Sequence, residues 1–83
     1  MRAKDVLPDG TDQSEFNGVT VRKGTVGAFL ANARVLTDAA ASPDIRSAAE
    51  RDIIEALPAL RALGLFDILS VRDDRLRALV EAH

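Results

Sequence analysis

Two apolar stripes at helical spacing, parted by Ser42-Pro43-Asp44, dominate what residues 25–63 can fold into. Val26, Phe29, Ala33, Leu36 and Ala40 recur at steps of 3, 4, 3 and 4, the mark of one buried helix face. Leu30 and Thr37 widen that face to about 120°, and Val35 points to the opposite side. Ser42-Pro43-Asp44 then supplies a hydroxyl cap, a proline at the first helical position and an acid in the first turn. Behind it Ile45, Ala49, Ile53, Ala56, Leu60 and Leu63 share a face, with Ile54 well away from it. The spacing predicts helices over 25–40, capped by Thr25, and over 43–57 with a continuation to 63. Pro58 cannot donate to the carbonyl of Ile54 and crowds that turn, so a kink or tight restart is expected there. Gly64 is placed to end the element in a left-handed conformation.

Upstream, residues 1–15 are polar, contain Pro8 and Asp9-Gly10, and lack an apolar period. They read as a loosely held arm with a turn at Asp9-Gly10, leaving 16–83 as a single compact domain. Asn17-Gly18, between Phe16 and Val19-Thr20-Val21, is a strong hairpin signal because both residues tolerate positive φ. Gln13–Phe16 is a poor partner strand, and such a hairpin must lie on helices or gain a third strand. Leu65–Val71 reads either as a strand or as helix, and its length of seven tips it towards a strand pairing with Val19–Val21. Asp73 or Asp74 can cap a last helix over 74–82 carrying Leu76, Leu79 and Val80. The expectation is an α-rich α+β domain of three to four short helices with a small β-hairpin or two- to three-stranded element. Its core is placed at Val26, Phe29, Leu30, Ala33, Leu36, Ile45, Ala49, Ile53, Leu60, Leu63, Phe66, Ile68, Leu76 and Leu79.

Composition excludes more chemistry than it suggests. There is no cysteine, hence no disulfide, thiolate metal site or thiol nucleophile. The one histidine is His83 at the end of the chain, so no serine can be matched to a histidine base. The serines lie in Gln-Ser-Glu, Ala-Ser-Pro, Arg-Ser-Ala and Leu-Ser-Val, without the Asp-Ser-Leu on which acyl carrier proteins receive their prosthetic arm. Net charge is −2, and residues 1–23, 24–63 and 64–83 carry four, four and three basic side chains against four, five and four acidic ones. None of these three segments is basic, so the counterion-release term that drives nucleic-acid binding is missing. Three Phe without Trp or Tyr make no stacking platform. The longest apolar run, Val26 to Ala31, is too short for a bilayer, which needs about 20 residues. Neither a signal peptide nor a membrane partner is expected, and the cytoplasm is the default compartment. Nine arginines against two lysines, with fourteen alanines, fit a GC-rich bacterial source.

Few residues are left as site candidates. Arg22-Lys23-Gly24-Thr25 leads into a helix and could hold an anion, or could be simply a strand end, a glycine turn and a cap. It lacks the phosphate-loop and dinucleotide spacings. Asp73-Asp74 is the one adjacent acidic pair and reads as a helix start. Asp5, Asp9 and Asp12 lack the calcium-loop pattern, so no metal or cofactor is expected. Val35 and Ile54, off the core stripes, mark a possible interface with a second copy or another protein. A non-enzymatic interaction or accessory domain that self-associates is the expected function. The alternatives are a nucleic-acid-associated regulator using Arg72, Arg75 and Arg77, or a small anion-binding domain at Arg22–Thr25.

Overall fold

Asn17 and Gly18 take φ of 51° and 80°, the two positive values that a type I′ turn requires. In the computed structural model, which describes residues 13–83, this turn joins β1 (Gln13–Phe16) to β2 (Val19–Arg22). The strands are antiparallel, with Phe16 opposite Val19, Ser14 opposite Val21 and Gln13 opposite Arg22. Gln13–Glu15 therefore belong to a strand and not to an arm; pairing with Thr20–Arg22 outweighs their weak intrinsic preference. The expected turn at Asp9-Gly10 and the aspartates Asp5, Asp9 and Asp12 lie outside the described residues. Four helices follow, α1 (Thr25–Leu36), α2 (Pro43–Leu63), α3 (Leu65–Ile68) and α4 (Asp74–Ala82), and 65% of the described residues are helical.

The helix ends follow their local chemistry. Ser42 caps α2, its hydroxyl accepting from the Ile45 N–H at 3.3 Å, with Pro43 at the first position and Asp44 in the first turn. Asp73 does the same for α4, accepting from the Leu76 N–H at 2.8 Å. Thr25 does not cap α1: Gly24 occupies the cap position, and the Thr25 hydroxyl accepts instead from the Arg22 N–H at 3.2 Å. α1 ends at Leu36 and not near residue 40. The Thr37 hydroxyl donates back to the Ala33 carbonyl at 2.9 Å, and the Asp38 carboxylate takes the Ala40 N–H at 2.9 Å. Side chains that bond their own backbone in this way compete with helix propagation. Arg46 ties the connection down by donating twice to the Ala41 carbonyl, at 3.1 and 2.8 Å.

α2 runs unbroken through Pro58, whose ring lies on an exposed side of the helix while Leu57 before it is buried. It ends at Gly64, which holds φ +83° and donates to the Arg61 carbonyl at 3.0 Å. A Cβ at residue 64 would meet Asp67 Oδ2 at an ordinary 3.5 Å, so the glycine is required by its dihedral and not by space. Gly64→Ala should cost about 1–2 kcal/mol of stability from left-handed strain alone. Urea unfolding checks this, and a loss near zero would mean that the turn re-forms with negative φ.

α1 and α2 form an antiparallel pair that encloses most of the core. Phe29, Ala33 and Leu36 meet Ile53, Leu57 and Leu60, and α4 closes one side with Leu76 and Val80. The Phe29 ring stands edge-on to Phe66, centroids 6.1 Å apart at 79°, a favourable aromatic geometry. The hairpin lies on α2 and buries Val21, and Asn17 Nδ2 donates to the Ala62 carbonyl at 2.8 Å, satisfying one of the last carbonyls of α2. Arg61 reaches α4 from α2, its guanidinium donating to the carbonyls of Val80 at 2.9 Å and His83 at 3.0 Å.

The expected core needs correction in both directions. Val21, Leu57 and Val80 are buried although the sequence stripe omits them, whereas Val26, Leu30, Ile45 and Ile68 stand open to solvent. Leu63, Phe66 and Leu79 are half-buried. The contact face of α1 is narrower than its apolar stripe, because α2 covers it along one line centred on Phe29, Ala33 and Leu36. The strand reading of Leu65–Val71 also fails. After the left-handed turn at Gly64 the chain makes one helical turn, the Leu69 N–H donating to the Leu65 carbonyl at 2.9 Å; Leu69 is extended, and residues 69–73 form neither helix nor strand.

Candidate functional site

Among the described residues, two surface features stand out. The first is a groove of about 590 Å³ bounded by β2, α1 and α2. Ala28, Phe29, Ala56 and Ala59 give it an apolar lining, short side chains around one ring. Arg22 and Thr20 stand on the strand side, Asp52 and Glu55 on the α2 side. The two carboxylates are three residues apart, which places them on one face of α2. Neither forms an ion pair among the described residues, where the one ion pair joins Arg77 to Asp74.

The second is a shelf of aliphatic side chains where α1 begins and α2 gives way to α3. Val26, Leu63, Leu65, Ile68 and Leu69 line a shallow depression of about 320 Å³, and Leu30 continues it one turn along α1. Val26, Leu30, Ile68 and Leu69 remain 37, 53, 84 and 58% exposed. This exposure is the direct consequence of the corrected core: residues written into the stripe by their spacing instead face outwards together.

The residues singled out by sequence fare unevenly. Arg22, Gly24 and Thr25 do line the first groove, but Lys23 does not. The Thr25 hydroxyl is occupied by the Arg22 N–H. Asp52 and Glu55 across the groove also oppose an anion electrostatically, so the corner does not collect the four groups that an anion site needs. Val35 and Ile54 are each half-buried within the chain, and Ile54 sits in a separate depression with Ser47, Glu50, Arg51 and Glu55. Val35 is not among the residues that line it. Arg72, Arg75 and Arg77 do not converge either. Arg77 is turned back onto Asp74 and the Val71 carbonyl, Arg75 lines a small cleft with Arg46 and Glu50, and Arg72 precedes the helix. His83 is exposed at the end of α4. No group of three or more acidic or histidine side chains suited to a metal occurs among the described residues, and no helix there is long and apolar enough to cross a membrane.

Asp52 and Glu55 escaped the sequence reading. They look like ordinary solvated positions on α2, and only the docking of a hairpin some thirty residues earlier turns them into a groove wall. Comparison with family models, with characterised proteins and with solved structures returns no match to this chain.

Proposed function

We propose that the chain is a small non-enzymatic interaction domain that self-associates through the aliphatic shelf of α1 and α3, in the cytoplasm of a bacterial cell. The shelf carries the reading. The exposures of Val26, Leu30, Ile68 and Leu69 amount to more than two whole aliphatic side chains left in water. At about 1.5–3 kcal/mol per side chain, burying them would return about 3.5–7 kcal/mol per protomer, comparable to the whole stability of a domain this short. The occupant we favour is a second copy. An all-aliphatic patch is complementary to itself and needs no opposite charge, and a two-fold pairing sets it against its own copy, the commonest arrangement of soluble oligomers. The interface thus moves from Val35 and Ile54, which the fold half-buries, to residues that the fold leaves open.

Light scattering over a concentration series tests this. The parent should exceed its chain mass of 8.9 kDa at micromolar concentration, and Ile68→Asp should return it to a monomer. Residue 68 is 84% exposed, so the substitution leaves the fold intact. A parent that stays monomeric at high micromolar concentration, or an oligomer that survives both Ile68→Asp and Leu30→Asp, would overturn the proposal.

A further inference from the structure

A two-stranded sheet leaves two rows of backbone groups unpaired, and the turn type decides which residues carry them. A two-residue turn makes Phe16 and Val19 a hydrogen-bonded pair, and such pairs alternate with non-bonded ones along an antiparallel ladder. Ser14 and Val21 bond each other, so Thr20 and Arg22 aim their N–H and C=O groups away from β1. The bond from the Arg22 N–H to the Thr25 hydroxyl, on the side away from β1, agrees with that phase. Among the described residues nothing bonds the N–H or C=O of Thr20 or the C=O of Arg22. The groove beside β2 opens along these same two residues. Its opposite wall carries Asp52 and Glu55, which have no ion-pair partner among the described residues, and Ala56 and Ala59 line it with short side chains.

We propose that this groove takes an extended, basic–apolar segment of another protein, which adds to β2 as a third strand. The residue opposite Thr20 exchanges both backbone hydrogen bonds with it and turns its own side chain to solvent, as Thr20 does. Its two neighbours then point inwards. One, small and apolar, rests on Ala56, Ala59 and Phe29; the other, a lysine or arginine, meets Asp52 and Glu55. Strand addition takes affinity from the main chain and selectivity from alternate side chains. The recipient also gains, because a two-stranded sheet of four-residue strands is marginal by itself. The inference is independent of the self-association reading, since groove and shelf share no lining residue.

The test is fluorescence anisotropy with a fluorescein-labelled pentapeptide, Thr-Val-Thr-Lys-Thr with blocked ends, titrated with the full chain as parent and as Ile68→Asp. Saturable binding to both is expected. Replacing the peptide lysine by glutamate should weaken it about tenfold or more. The double variant Asp52→Lys, Glu55→Lys should reverse that preference, so that the glutamate peptide becomes the tighter ligand. N-methylation of the central threonine should abolish binding, because it removes the donor that meets Thr20. Absence of saturable binding overturns the proposal. So does binding that ignores N-methylation while following charge, which would make the groove a simple electrostatic contact. Binding to the parent alone, lost in Ile68→Asp, would place the peptide on the shelf and overturn it too.

Discussion

Phe29→Ala is expected to remove about 3–5 kcal/mol of stability, the usual range for truncating a buried phenylalanine. Phe29 is 5% exposed, lies between α1 and α2 among Ile53, Leu57 and Leu60, and packs its ring edge-on to Phe66. Truncation deletes that aromatic contact and opens a void that helices held by a short loop cannot collapse to fill. A chain this short belongs at the low end of the usual 5–15 kcal/mol, so the variant should be largely unfolded or melt far below the parent. Leu30→Ala, one residue along, should change stability by only about 0.5 kcal/mol or less when both variants are compared in the monomeric Ile68→Asp background, since that side chain is half exposed in the single chain. Thermal melts of the pair followed by circular dichroism decide the rotational phase of α1. If Phe29→Ala melts within about two degrees of the parent, or if Leu30→Ala is the worse variant, α1 presents a different face to the core.

Adjacent residues with such different expected costs show where sequence reading stops. The existence of α1, α2 and α4 was legible because each carries a local signal: apolar period, the Ser42-Pro43-Asp44 start, the Asp73 cap and Gly64 at a left-handed end. The hairpin was legible from Asn17-Gly18 for the same reason. What was not legible depends on which neighbour covers which side. Periodicity counts Val26 and Leu30 with Phe29, but α2 reaches only one edge of that stripe and the other becomes the shelf. Leu57 lies about 80° around α2 from Ala49 and is buried by its neighbours' packing, next to a proline that marked this turn as a break. Leu65–Val71 has the composition of a strand, but among the described residues no strand pairs with it, and the Gly64 turn and the Phe29–Phe66 contact set its path. Of the groove only Arg22, Gly24 and Thr25 were visible in advance, as an anion corner. The acidic wall that changes its meaning comes from a different helix.

Val21→Asp is expected to release the hairpin from α2 while the helices stay paired. Val21 is 2% exposed, yet it lies outside the cluster that joins α1, α2 and α4. An aspartate there must lose its hydration with no cation supplied by Ser14 opposite it, a cost of several kcal/mol for the charged form. Desolvation raises the carboxyl's folded-state pKa above its unfolded value near 4. The folded form then holds its proton to higher pH than the unfolded form. The deficit is therefore smallest below about pH 4, grows as pH rises through the window up to the raised folded pKa, and is complete above it. Detachment limits the penalty. Two four-residue strands and the Asn17–Ala62 hydrogen bond hold the hairpin, and opening it exposes less apolar surface than unfolding the helix pair would. At neutral pH the far-ultraviolet helical signal should persist while the amides of Ser14 and Phe16 lose their exchange protection, and acidification should restore part of it. If the helical signal collapses together with those amides at every pH, the hairpin is part of a single cooperative unit. In that case the groove beside β2 would depend on the same core as the helices.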